Sequence, residues 1–486
     1  MIEQIKKHPL VVIFLVALTL RLLFSFYFQQ FYFGEFVFKY RDTSGYLNPI
    51  LNLINHGTYI GDFYLEDSKF FRVPVYPSFL GMVHILFGPI YFDYAIATIQ
   101  SILDSFSAIL VYLIILRITQ SKQMAVVSGF IYATYPFVIL WSPISYTEVL
   151  QTFFIFLLLY LVLLNHQEKK YTFIQGALVG ILILTKQYLG LFLLIPLSVI
   201  LFPPCIKNDM MKKIILIIVF SLGLGTILTP WVIRNYVESG KVIVLKGEST
   251  GLRARGLDYE AFEKFANLFN ENVTPMMNDI AYTGSVRFEK HLKFVNSHKD
   301  EIDDVIKKAH HCGRSFMEIR MPTGYGVPHA GCDKEVIEHF ERLTEMFWDE
   351  VPFFEAIETR KDATKKIFMK SNILYKKIVF SKTQLLKTVL FKYRVLLVVL
   401  GMTGILLVLM NYVKSRERIF VLSVCLTAMA FYIFFALLIV HVEMRYILVP
   451  DLLISIFASI PIILFLERLR ISINLLKKSR IYKYGR

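Results

Sequence analysis

The sequence predicts an all-α polytopic membrane protein with a bundle of about ten transmembrane helices, on three observations. Mean hydropathy is +0.54, and 55% of the residues are hydrophobic. These residues come in blocks long enough to cross a bilayer, which takes about 20 mostly apolar residues, instead of the dispersed patterns of soluble chains. Lysines and arginines fall in alternate short loops between the blocks, as the positive-inside rule requires.

The expected spans are 9–28, 91–116, 123–141, 149–165, 171–186, 188–203, 213–233, 393–412, 418–440 and 447–466. The first follows Lys6 and Lys7; it is too long for a cleavable signal and lacks a small-residue cleavage site. Arg117 and Lys122, Lys169 and Lys170, then Lys207, Lys212 and Lys213 fall on one side. Lys414, Arg416, Arg418 and the tail from Arg468 to Arg486 continue the series, so both termini are expected in the cytoplasm. The net charge of +15 is thereby assigned to topology and anionic lipid. It sits at helix ends and not on one basic face, so no nucleic-acid partner is expected.

This topology puts 29–90 and 234–392 outside, with short outer turns at Trp141–Glu148 and Val440–Tyr446. Three parts follow: a membrane module over 1–236, a soluble outer insert over 237–392, and C-terminal spans with a basic tail over 393–486. Neither inverted half-to-half similarity nor a short-period repeat is found. In the insert, "DKEVIEHFERLTEMFWDEVPFFEAIETRKDATKKIFM" carries apolar residues at helical spacing. Lys376, Lys377, Lys382, Lys387, Lys392 and Arg394 add basic charge to an apolar pattern over 373–394, which predicts an interfacial helix.

Of four cysteines, Cys205 and Cys425 lie at or in the membrane as core thiols. Cys312 and Cys332 lie in the insert, where an oxidising compartment favours a disulfide. His310, His311 and His329 beside them leave a zinc site as the alternative, although the spacing matches no common zinc pattern.

Charges near hydrocarbon are expensive and mark candidate sites. Asp42, Arg72, Asp93, Glu148, Lys186, Arg234, Glu443 and Arg445 cluster towards the outer ends of the spans, with Arg21 and Asp104 deeper. Carboxylates there can take a proton from a hydroxyl. Arginine and lysine can hold a phosphate and meet the charge that develops as it leaves. The mixture suits a lipid phosphate donor meeting a polar acceptor at the membrane surface. Membrane lipids are partners in any case.

"RDTSGYLNPILNLINHGTY" followed by "FRVPVYPSFLGMVHILFG" resembles the first outer loop of GT-C membrane glycosyltransferases, among them protein O-mannosyltransferases and the aminoarabinose transferase of lipid A. "YPFVILWSPISYTEVL", "TPWVIRNYVESGKVIVL" and "VEMRYILVPDLL" resemble their second outer loop, seventh span and last outer turn. The order and spacing of these motifs, from about residue 10 to 465, make the match specific.

The resemblance implies a GT-C type bundle with interfacial helices in the first outer loop. It also implies a polyprenyl-phosphate-linked sugar donor, a glycan, lipid or protein acceptor, and inverting transfer on the outer face. Asp42 takes the place of the family's active-site acid, acting as general base, and Thr43–His56 that of a short helix on the membrane surface. Tyr46, Leu47, Ile50, Leu51 and Ile54 fit one apolar face of that helix. Glu148 is expected across the cavity, orienting acceptor or catalytic groups, or else capping the fourth span. Arg72, Lys186, Arg234 and Arg445 are the expected phosphate ligands, with Tyr46, Tyr76, Asp93, Glu443 and Tyr446 as further pocket residues. No cofactor and no metal is expected, since no compact carboxylate cluster suitable for magnesium appears. The chain departs from the protein O-mannosyltransferases in having Asp42-Thr43 where they carry an Asp-Glu pair, so neither mannose nor a protein hydroxyl is carried over. A surface-polysaccharide polymerase or ligase, or a lipid-linked glycan transporter, is the alternative. A transporter would show midplane charges and paired halves, and a polymerase or ligase would lack the Asp42 loop followed by "RVPVYP".

Overall fold

In lipid an apolar run has no hydrogen-bond partner for its backbone except itself, which dictates helix. The computed structural model describes residues 7–40, 42–61, 63, 66–164, 168–202, 210–245, 257–270, 273–320, 332–356, 383–412, 415–437 and 444–484; among them there is no β-strand. The first half of the chain forms α1 (Pro9–Phe33), α2 (Thr43–His56), α3 (Val75–Thr119), α4 (Lys122–Ala133), α5 (Glu148–Leu164), α6 (Lys169–Thr185), α7 (Gln187–Leu201) and α8 (Met210–Ser239). The insert contributes α9 (Leu257–Ala266), α10 (Val273–Thr283), α11 (Lys299–Cys312) and α12 (Asp333–Glu350), with shorter helical turns between them. The last group is α13 (Thr383–Leu407), α14 (Ser415–Leu437), α15 (Met444–Ser455) and α16 (Ser459–Tyr484).

Among the described residues, six helices are long and apolar enough to cross a membrane: Pro9–Phe33, Val75–Thr119, Met210–Ser239, Thr388–Met410, Glu417–Phe435 and Arg445–Ser472. The other four expected spans fall on the shorter helices α4 to α7. α3 is two helices joined at Gly88, whose φ of 70° and ψ of 170° break the helical backbone just before Pro89. Around that break Ile85, Leu86, Phe87, Ile90 and Tyr91 are 46–79% exposed, which is costly in water and favourable in lipid.

One hydrophobic core runs from Ile13 to Ile463 through the bundle. A second lies between Tyr259 and Ala356 and is rich in phenylalanine, with Phe262, Phe265, Phe269, Phe316, Phe340 and Phe347 all buried. Cys312 and Cys332 are bonded, with Cα atoms 5.9 Å apart. The zinc alternative is not realised: Cys312 and Cys332 hold each other, His310 Nδ1 sits 2.8 Å from the Ile280 carbonyl, and His329 lies outside the described residues. The bond closes a loop over a separation of 20 residues, so replacing both cysteines with alanine should cost the insert about 3 kcal/mol. Thermal unfolding of oxidised and alanine-substituted protein tests this, and intact mass without reduction showing two free thiols would remove its basis.

Two triads of the same composition staple the bundle. Arg21 of α1 donates to Asp104 of α3 at 2.5 Å, and Tyr132 of α4 donates to the other oxygen of Asp104 at 2.5 Å. Arg394 of α13 pairs with Asp451 of α15, whose second oxygen accepts from Tyr432 of α14. The second triad corrects the interfacial helix expected over 373–394. Residues 373–382 lie outside the described residues, and the remainder begins the long helix α13. Arg394 there is 3% exposed because Asp451 and Tyr432 give its charge a partner inside the bundle. Ser128 of α4 donates to the Ile456 carbonyl at 2.7 Å, docking the last helices on the first group.

Candidate active site

α2 spans Thr43–His56, as the family resemblance implies, and buries Tyr46 and Ile50 while Leu53 and Ile54 stay 40% exposed. Asp42 stands at its N-cap, yet its side chain does not cap the helix. The carboxylate reaches Arg445, at the start of α15, with Nη2 to Oδ2 at 2.8 Å.

A seam between the segment before α2 and the segment before α5 fixes Asp42 from behind. Its amide donates to the Tyr146 hydroxyl at 2.9 Å, and that hydroxyl donates to the Tyr40 carbonyl at 3.0 Å. The Ser145 amide donates to the Phe38 carbonyl, and the Thr43 hydroxyl donates to the Ser145 carbonyl. Thr43, in the place of the O-mannosyltransferase glutamate, is therefore buried as a fastener. The segment before α5 is pinned in turn by Gln100, whose amide donates to the carbonyls of Ser142 and Ile144 and accepts from Tyr76.

Cations gather around this carboxylate. The Arg445 guanidinium lies 5.1 Å from the Tyr146 ring centre and 5.2 Å from that of Tyr446. Lys186, at the end of α6, lies 5.1 Å from the Tyr446 ring centre and 5.4 Å from that of Tyr188, and pairs with Glu148 at 3.3 Å. Arg72 stacks on Tyr46 with its guanidinium carbon 4.3 Å from the ring centre, a distance suited to cation–π attraction. Among the described residues, no side-chain hydrogen bond or ion pair engages that guanidinium. Burial pushes the Asp42 carboxyl up, but the hydrogen bond and charge of Arg445, with the charges of Arg72 and Lys186, outweigh it and hold it below the usual carboxylate range. The pair therefore adds stability above that range which is lost as pH falls through the depressed folded value. Asp42 is a carboxylate at neutral pH, and its side chain is 38% exposed.

The expected site residues thus divide. Asp42, Arg72, Lys186, Glu148, Arg445, Tyr46 and Tyr446 come together through these contacts. Glu148 is 1% exposed and holds Lys186; its other oxygen has no hydrogen-bond partner among the described residues. Tyr76 lies beneath, its ring edge against Tyr46 and its hydroxyl donating to Gln100. Arg234 is engaged elsewhere: its guanidinium donates to the carbonyls of Lys69 and Tyr59 and sits among the rings of Tyr59, Phe70 and Trp231. It fastens the segment between α2 and α3 to α8. Asp93 pairs with Lys39 at 3.2 Å. Glu443 lies outside the described residues. Tyr146 carries no charge to mark it in the sequence; its position two residues before Glu148 was the available signal.

Comparison with known proteins supplies the context. Residues 72–233 match the profile of the dolichyl-phosphate-mannose-protein mannosyltransferase family. No curated protein matches. Among solved structures, the oligosaccharyltransferase AglB of Archaeoglobus fulgidus, in complex with an inhibitory peptide and a dolichol-phosphate, aligns with 98% of this chain and 52% of its own, at 15% identity and a TM-score of 0.53. An Archaeoglobus fulgidus oligosaccharyltransferase tethered with an acceptor peptide aligns with 97% of this chain and 51% of its own, at 14% identity and a TM-score of 0.51. ArnT of Cupriavidus metallidurans, bound to undecaprenyl phosphate, aligns with 93% of this chain and 77% of its own, at 12% identity and a TM-score of 0.39. The chain spans about half the length of the archaeal oligosaccharyltransferase it matches. Its fold is that of the GT-C membrane glycosyltransferases.

Proposed function

We propose that this chain is a membrane glycosyltransferase that moves a sugar from a polyprenyl-phosphate carrier to an acceptor hydroxyl, with inversion, on the outer face of the membrane. The observation that carries this reading is the convergence of one ionised, partly exposed carboxylate, Asp42, with three cations, of which Arg72 has no side-chain hydrogen bond or ion pair among the described residues. The family match to dolichyl-phosphate-mannose enzymes over 72–233 and the dolichol-phosphate held by the archaeal relative support a lipid-phosphate donor.

In this reading the acceptor oxygen attacks the anomeric carbon from the face opposite the phosphate. The bond from that carbon to the phosphate oxygen breaks, and the acceptor proton passes to Asp42. The departing polyprenyl phosphate gains a negative charge, which Arg72, Arg445 and Lys186 stabilise in a water-poor site. The partner that keeps Asp42 ionised also weakens it as a base. A transition state with oxocarbenium character acidifies the attacking hydroxyl, so a weak base suffices. Glu148 acts through Lys186, holding the ammonium towards the site.

The test is reconstitution in vesicles with radiolabelled glucose, mannose, galactose or N-acetylglucosamine carried on undecaprenyl or dolichyl monophosphate. Arg72→Ala should raise the donor KM by about tenfold or more, the worth of a charge-assisted contact, and change the acceptor KM little. Failure of the wild type to consume any monophosphate-linked sugar, or an unchanged donor KM in Arg72→Ala, would overturn the reading.

A further inference from the structure

Gly45 sits in the first turn of α2 between Asp42 and Tyr46. Glycine is a poor helix residue, and nothing in the helical backbone here calls for one, since Gly45 is not among the residues with positive φ. What calls for it is Arg72. A Cβ at position 45 would stand 3.0 Å from Arg72 Nη2, 3.3 Å from Nε and 3.6 Å from Cζ. The guanidinium carbon of Arg72 also lies 4.3 Å from the centre of the Tyr46 ring. Tyr46 is itself locked, 3% exposed, with edge contacts to Tyr76 at 5.4 Å and Tyr146 at 6.2 Å between centres.

We infer that Gly45 and Tyr46 form a perch that positions Arg72, setting where its planar fork of N–H donors meets the donor phosphate. The inference rests on the proposed phosphate-binding role of Arg72 and adds two positioning residues to it. The other cations are held by charges: Arg445 by Asp42, Lys186 by Glu148. Arg72 is held by the space at Gly45 and by the Tyr46 ring face, and among the described residues no side-chain hydrogen bond or ion pair engages its N–H donors. A methyl group at 45 would push the end of a flexible side chain, so the fold would accommodate it while the guanidinium would leave its place.

The consequence is an opposed pair of effects in Gly45→Ala. Thermal unfolding should be unchanged or shifted upward, because alanine favours the helix. The donor KM should rise about tenfold while the acceptor KM holds, as for loss of one well-placed charged contact. Tyr46→Leu should raise the donor KM and Tyr46→Phe should restore it, since the ring and not the hydroxyl makes the perch. In an Arg72→Ala background Gly45→Ala should add nothing further, the non-additivity of residues acting as one unit. A wild-type donor KM in Gly45→Ala, with Arg72→Ala still impaired, would overturn the perch and leave the glycosyltransferase reading standing. Independent, multiplying effects of the two substitutions would also overturn it. An unimpaired Arg72→Ala would remove both.

Discussion

Replacing Asp42 with asparagine is expected to cut turnover by about 10²–10⁴-fold while folded protein accumulates in the membrane at the wild-type level. Asparagine keeps the shape of the side chain and can still accept from Arg445, and the seam to Tyr146 uses the Asp42 amide, which the substitution does not touch. What is lost is the negative charge that takes the acceptor proton. The measurement is the initial rate of polyprenyl phosphate release in vesicles matched for folded protein. A wild-type rate in Asp42→Asn would remove the general base and with it the proposed step.

The largest effect on stability is expected at the buried triad of Arg21, Asp104 and Tyr132. Arg21→Met leaves the Asp104 carboxylate fully buried without its cation, which should cost about 3–5 kcal/mol. Arg21 also donates to the carbonyls of Ala17 and Ala133, so its loss unfastens α1 from α4 as well as from α3. Combining Arg21→Met with Asp104→Leu and Tyr132→Phe should recover most of that loss, because no charge or hydroxyl is then left unpaired. Thermal unfolding in detergent and the yield of folded protein read both predictions. A single variant as stable as the wild type would mean that the ion pair contributes nothing. The specific activity of the triple variant should match the wild type, since the triad touches none of the residues gathered around Asp42.

Much of this arrangement was legible in the sequence, for physical reasons that differ residue by residue. The helix Thr43–His56 is expected from the family resemblance, and its apolar face fits helical spacing. Asp42, Arg72, Lys186 and Arg445 stood out because charge at the edge of hydrocarbon needs a reason. Gly45 and Tyr146 carry no charge, and what they do depends on neighbours 27 and 104 positions away, Arg72 and Asp42, so no local pattern marks them. Arg234 looked like its fellow cations, yet its partners are backbone carbonyls, which every residue possesses and no sequence distinguishes. Arg394 was read with the lysines around it as interfacial, although a lone aspartate, Asp451, inside the last apolar run was the sign that a buried cation had to exist.

The pair between Asp42 and Arg445 also has a history in time. Its members are 403 positions apart. At elongation rates of about 5–20 residues per second, Asp42 leaves the ribosome roughly 20–80 s before its partner exists. Once Lys186 has been made, the nascent chain holds the carboxylate, Arg72, Glu148 and Lys186 but not the arginine that completes the cluster. The cluster is therefore complete only when the last helices have docked, through contacts such as Ser128 to the Ile456 carbonyl. The cluster is thus assembled from opposite ends of the chain and is the last part of the molecule to be completed.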